Sequence, residues 1–341
     1  MNFADDSSST EKHIFIAARQ AMTLQQLQRD NEQRYREIFA AAGLRRSHLI
    51  FPVFVSDRPG MIESMPGMTV TPIEKITQHV QTIVDSGILS LIVFGIPKSR
   101  DRIGSSAFDR KGVVQRAVRA IKSSFGSSVN VVTDICVCQY NLSGHCGIVA
   151  SGNKRVDNDA TLQILAQVAA SHAEAGADVV APSSMMDGQV RAIKSALVGF
   201  FTKTMILSYS AKHASSLYTP FRSAAFAKMK PRLDKSSYQV SYANPRQVLL
   251  EIETDISEGA DIVMIKPALA YLDLVRMVKD RFCGHPVAVQ NVSGEYAMIK
   301  AAAMHNLIDE EEWKVCSIAS IKRAGADRII SYFALDVSKY L

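Results

Sequence analysis

Eight short apolar, β-rich runs recur along this chain, at 50–55, 89–95, 129–136, 177–183, 204–210, 260–266, 286–293 and 326–333. Most of the intervening segments are long enough to hold a helix. Runs that stay apolar at consecutive positions read as strands buried on both faces, the signature of a parallel sheet. Three of them are entered through one phrase, Gly176-Ala177-Asp178, Gly259-Ala260-Asp261 and Gly325-Ala326-Asp327. Such a glycine ends a helix and passes the chain directly into a strand. The phrases are unequally spaced, so they are recurrent joints and not a tandem repeat. The segment 159–175 shows both helix ends, with Asp157 and Asn158 as candidate caps and Gly176 after it. Eight strands alternating with helices predict an α/β fold, a (β/α)8 TIM barrel. A doubly wound open sheet is the alternative, but no Gly-x-Gly-x-x-Gly phrase follows an early strand.

A barrel of this kind keeps its chemistry at the C-terminal ends of its strands. Those ends carry Asp134 and Cys136, Ser183, Ser210 and Lys212, Lys266, Ser293, and Tyr332. Lys266 closes the run 260–266 and Pro267 stops it. A lysine there either snorkels into water or stands as an amine whose apolar walls lower its pKa and free its lone pair. Lys212 and Lys266 end adjacent predicted strands, about 4.8 Å apart, so each ammonium would depress the other's pKa. One such lysine suffices for an aldolase; two suggest the joining of two keto substrates. Cys136, Cys138 and Cys146 follow the third strand and suit Zn²⁺ with one open position, or are three unrelated buried thiols. His145 is either a ligand, a donor to one, or a loop histidine. The link 211–244 is long and basic, with Lys212, Arg222, Lys228, Lys230, Arg232 and Lys235, and reads as a lid able to hold carboxylates.

The chain has 341 residues and a net charge of +6, and the sequence pI is about 9.0. The charge forms no run, which argues against nucleic acid as a partner. No apolar stretch approaches the roughly 18 residues of a membrane span. Residues 1–12 are polar and read as disordered, and 13–44 as a helical arm ahead of the barrel of 45–341. The acidic, Ser-rich start carries no secretory pattern, and five cysteines, three of them clustered, suit a reducing, cytoplasmic compartment.

From about residue 45 onward the sequence resembles porphobilinogen synthase, also called 5-aminolevulinate dehydratase. The segments that carry the resemblance are Ser64-Met-Pro-Gly67, Phe94-Gly-Ile-Pro97, Asp134-Ile-Cys-Val-Cys138, Gly144-His-Cys-Gly147 and Ala181-Pro-Ser-Ser-Met-Met-Asp-Gly188. They continue through Ser208-Tyr-Ser-Ala-Lys212, Pro220-Phe-Arg222, Met264-Ile-Lys-Pro267, Val292-Ser-Gly-Glu-Tyr296, Arg323-Ala-Gly-Ala-Asp327 and Tyr332. The resemblance implies a TIM barrel with an N-terminal arm, assembled as a homo-octamer. It further implies condensation of two 5-aminolevulinate molecules to porphobilinogen, in tetrapyrrole and haem biosynthesis. It gives Lys212 and Lys266 the Schiff-base role, Asp134 an active-site role and Cys136, Cys138 and Cys146 the zinc. Ser293 and Tyr332 would hold one substrate carboxylate and Arg222 with Lys235 the other. Glu251 would match an allosteric Mg²⁺ position.

The chain departs from the family at its rim and lid. Ser184 stands for an aspartate, Gln189 for an arginine, Ser223 for an aspartate, Lys235 and Ser236 for Arg-Lys, and Gln290 for a tyrosine near the lid-side mouth. An ammonium offers a point charge where a guanidinium grips a carboxylate in two places. These exchanges leave open a paralogue acting on a different amino-ketone, and a catalytically weak binding or oligomeric partner.

Overall fold

The computed structural model describes residues 31–150, 155–226 and 234–341. Eight parallel strands close into a barrel: β1 (Leu49–Ser56), β2 (Ser90–Ile96), β3 (Asn130–Ile135), β4 (Val179–Pro182), β5 (Met205–Lys212), β6 (Ile262–Lys266), β7 (Val287–Gln290) and β8 (Arg328–Ile330). Each pairs with the next, and β8 returns to β1 through Ile329 against Leu49 and Ile330 against Ile50. All eight predicted runs therefore become barrel strands, and the (β/α)8 expectation holds. The differences lie at the ends: β5 runs on to Lys212, and Ser293 starts a helix, Ser293–Met304, instead of closing β7. Short elements escaped the apolar pattern. Gly60–Met61 pairs antiparallel with Thr69–Pro72, which lies alongside the end of β1, and Ile148–Val149 pairs with Val156–Asp157.

The Gly-Ala-Asp phrases do more than join helix to strand. Gly176, Gly259 and Gly325 hold φ of 105°, 103° and 120°, a region open to residues without a Cβ. The aspartate then reaches sideways to the preceding strand. Asp178 accepts from Val131 N at 2.7 Å, Asp261 from Ile206 N at 2.7 Å and Asp327 from Val287 N at 2.8 Å. In return the three aspartate N–H groups donate to the carbonyls of Val131, Ile206 and Val287. Each carboxylate thus satisfies a strand-start N–H that the ladder leaves without a partner. The helix Asn158–Glu174 is capped by Asp157, which accepts from Ala160 N at 3.0 Å.

Of the arm expected over 1–44, the described part is the helix Asn31–Ala41, and 1–30, including the expected disorder of 1–12, lie outside the described residues. The helix packs on the barrel and does not stand apart from it. Tyr35 meets Tyr340 edge-on at 5.2 Å, and Arg36 donates to the Lys339 carbonyl at 2.9 Å. No helix among the described residues is long and apolar enough to cross a membrane.

Candidate active site

Lys212 and Lys266 are register partners at the ends of β5 and β6, so strand pairing alone sets their amines side by side. Both are buried, at 7% and 8% exposure. The Lys266 ammonium faces the rings of Tyr209 at 4.8 Å and Tyr218 at 5.1 Å, and Nζ donates to Gln290 Oε1 at 2.9 Å. Burial pulls its pKa from 10.5 to about 7, and the charge of Lys212 pulls in the same direction. Lys212 Nζ donates to the Ser183 carbonyl at 2.5 Å and lies 3.9 Å from Cys146 Sγ. The expected pair of amines is present, one of them half-neutral near pH 7.

The loop after β3 is folded by Asn141, fully buried. Its Oδ1 accepts from Gly144 N at 2.7 Å and its Nδ2 donates to the His145 carbonyl at 2.9 Å. That fold turns the chain back so that the sulfurs of Cys136, Cys138 and Cys146 lie within 4.8 Å of one another. Among the described residues no other set of three His, Cys, Asp or Glu ligand atoms is so grouped. Without a metal, Cys146 is held well below the usual thiol range, first by hydrogen bonds from the thiols of Cys136 and Cys138, against the cost of burial. Cys136 is pushed up to about 11, first by burial. Three buried sulfurs grouped this closely fit a thiophilic cation such as Zn²⁺. His145 is not one of the group; its Nδ1 meets the Tyr238 hydroxyl at 3.1 Å.

Asp134 lies at the centre, its carboxyl pushed up by burial against the pull of Lys212 and a Ser183 hydrogen bond. Gln139, fully buried, links it to the sulfurs: Nε2 donates to Asp134 Oδ2 at 3.3 Å, and Oε1 accepts from Cys138 Sγ at 3.3 Å. Sequence reasoning missed Gln139 and Asn141, because a single amide in a loop carries no periodic signal.

Lys235 reaches the same cluster and not only the lid. Its Nζ lies 3.2 Å from Cys146 Sγ, and burial, which lowers its pKa, is outweighed by that thiolate. Arg222 holds its guanidinium 5.5 Å over Tyr218. Lys228, Lys230 and Arg232 of the expected lid lie outside the described residues. Gln290, expected by the lid, stands instead against Lys266. Ser293 Oγ accepts from Phe221 N at 3.1 Å and donates to the Leu217 carbonyl at 3.2 Å, tying the lid helix Thr219–Phe226 to the end of β7. The next residue must be glycine, since a Cβ at Gly294 would lie 2.5 Å from Leu217. Tyr332 stacks on Phe54 at 6.2 Å.

Asp134, Lys212, Lys266, Arg222, Lys235, Gln290, Ser293 and Tyr332, with Cys138 and Cys146, line one cavity of about 40 Å³. Glu251 is outside this site. It lines an outer cavity with Asn158, Asp187 and Ser236, and its carboxyl is pushed up first by burial and then by Asp187 and Asp255.

A family profile described as delta-aminolevulinic acid dehydratase matches residues 24–340. A delta-aminolevulinic acid dehydratase of Archaeoglobus fulgidus is 48% identical over 311 residues, 90% of this chain and 94% of that one. One of Methanothermus sociabilis is 47% identical over 307 residues, 89% and 93% of the two chains. Among solved structures, delta-aminolevulinic acid dehydratase (porphobilinogen synthase) of Toxoplasma gondii ME49, in complex with the reaction product porphobilinogen, superposes with a TM-score of 0.84. That match has 37% identity and covers 87% of this chain and 86% of that one. With a family profile spanning nearly the whole chain and the barrel-mouth lysines and thiols in one cavity, this chain belongs to the delta-aminolevulinic acid dehydratase family.

Proposed function

We propose that this chain condenses two molecules of 5-aminolevulinate to porphobilinogen with loss of water, as a lyase of tetrapyrrole biosynthesis. The observation that carries the chemistry is the register pairing of two buried lysines beneath three buried thiols. The neutral Lys266 amine adds its lone pair to a ketone carbon. Its two hydrogens leave with the ketone oxygen as water, and an imine remains. Lys212 forms the second imine. Asp134, whose buried carboxyl takes up a proton more readily than an exposed one, moves protons between the two amines and the departing oxygens. Ser293 and Tyr332 hold one carboxylate; Arg222 and Lys235 hold the other. Cys136, Cys138 and Cys146 would hold Zn²⁺, which supplies a Lewis acid for the second substrate.

A second reading, the same lysine pair acting on a different amino-ketone, is favoured by Lys235, whose ammonium is engaged by Cys146. Turnover of 5-aminolevulinate, read as pyrrole formation, separates the two. Borohydride added during turnover should label Lys266 and, in part, Lys212 by peptide mass spectrometry. Repeated failure to label either with a turned-over substrate sinks the imine mechanism. A chelator should abolish turnover and Zn²⁺ restore it; full activity of metal-free protein would make the thiols incidental.

The octameric assembly and the regulatory Mg²⁺ at Glu251 rest on the resemblance. Mg²⁺ keeps several waters, so Glu251 with Asp187 across the outer cavity would suffice as protein ligands. The five free cysteines support a reducing, cytoplasmic setting.

A further inference from the structure

Gln290 ends β7 and is buried at 2% exposure. Among the described residues its Oε1 is the hydrogen-bond acceptor of Lys266 Nζ, at 2.9 Å. The other groups around that amine offer no replacement. Tyr209 and Tyr218 present ring faces, and the Tyr218 hydroxyl is committed to the carbonyls of His213 at 2.8 Å and Lys266 at 3.2 Å. A carboxamide has a second hand. Gln290 lines the reaction cavity, and its Nε2 makes no hydrogen bond among the described residues. Its planar group thus sets an acceptor on the nucleophile and a donor beside it, facing the space a ketone must enter.

We propose that Gln290 is a positioning residue for imine formation at Lys266, its Oε1 holding the amine while its Nε2–H binds the ketone oxygen of the substrate. The inference rests on Lys266 being the nucleophile. Held this way, amine and carbonyl meet through one rigid amide, which aims the lone pair at the ketone carbon and steadies charge growing on oxygen. When the C–N bond forms, the ketone π pair moves to oxygen, which takes one of the amine's protons; the carbinolamine hydroxyl then leaves with the other as water, and the nitrogen pair closes the C=N bond. Gln290 neither gains nor loses a proton. Its neutrality matters, because a carboxylate at this position would favour the ammonium form of Lys266. The charged or titratable groups facing Lys266 are Lys212 and Tyr209 on β5, Tyr218 in the link after β5, Asp134 on β3, Cys138 and Cys146 in the loop after β3, and Glu295 on the helix after β7.

The test is the rate of borohydride trapping at Lys266 by 5-aminolevulinate against pH, on the full-length zinc-loaded protein. Gln290→Leu, which loses both hands, should slow trapping about tenfold or more, and because it also removes the acceptor that favours the ammonium, its pH midpoint should fall and not rise. Gln290→Glu, which keeps an acceptor but adds charge, should move the midpoint to higher pH by about one unit or more. Gln290→Asn, which withdraws the amide by one methylene, should slow trapping as Leu does, and it carries the test should Leu not fold. Wild-type rate and midpoint in the folded variants would overturn the proposal. No label at Lys266 in the unsubstituted protein would instead overturn the nucleophile reading beneath it.

Discussion

The side of the barrel mouth formed by β6, β7 and β8 and the side formed by the loops after β3 and β5 are held by different means. On the first, Lys266 and Gln290 are the last residues of strands, and Ser293 begins the helix that follows. The turn beyond Lys266 is fastened by Glu295, whose carboxylate accepts from Ala268 N at 3.0 Å, Leu269 N at 2.5 Å and Val292 N at 2.6 Å. On the second side, Cys146 and Lys235 come from loops and Arg222 from the short helix Thr219–Phe226, and the contacts are made by side chains. Lys235 meets Cys146, and Tyr238 accepts from Cys146 N at 3.2 Å while meeting His145. The strand side is set by ladder register and backbone capping. The loop side is set by side-chain charge, so its arrangement responds to whatever enters the site. Lys235 and Ser236, which the sequence reading takes as departures from the family, fall on the loop side, where a change costs no ladder hydrogen bond.

Substitutions can break or sharpen this contrast. The largest effect is expected from Lys266→Met, which should lower turnover by about 10⁴-fold or more. It should also raise stability by on the order of 2–4 kcal/mol at pH 7, since a buried amine is replaced by an apolar chain. The folded pKa of Lys266 is lowered from 10.5 to about 7, so its penalty is whole below pH 7 and fades as pH rises toward 10.5. The stability gain in the variant should fade over the same window, as urea unfolding would show. By the same shift, wild-type turnover should rise with pH through about 7.

Next comes Lys235→Ala on the loop side. It should raise KM for 5-aminolevulinate about ten- to a hundredfold through one lost charge-assisted contact, and lower Tm as well, because buried Cys146 loses its ammonium. An unchanged Tm would show that the loop side does not depend on this charge contact.

The smallest effect is expected from Glu295→Gln, about 1 kcal/mol of stability, because the amide keeps one acceptor and turns an N–H toward donors. Glu295 is raised from 4.5 to about 6 by burial, so its stabilising contribution is whole below pH 4.5 and lost as pH rises through 6. The variant should lack that slope in unfolding free energy between pH 4.5 and 6. An unchanged slope would assign it to other groups.

Eight buried runs, their helix-length spacing and the three Gly-Ala-Asp joints by themselves determined the barrel and placed Lys212 and Lys266 on one rim, because strand and helix signals are local and periodic. The three cysteines were legible as a group because one short loop carries them. Tertiary structure decided the contacts among them. It turned Gln290 onto Lys266 and Lys235 onto Cys146, gave Asn141 and Gln139 their buried roles, and packed the helix Asn31–Ala41 on Tyr340. The contacts of Gln290, Lys235 and the N-terminal helix bring together residues whose nearness depends on barrel closure, while Asn141 and Gln139 act within one short stretch but take partners set by which buried polar atom lacks one. That choice is settled by the whole packed mouth, where leaving one such atom unpaired costs about 1–3 kcal/mol, and no short window of sequence contains it.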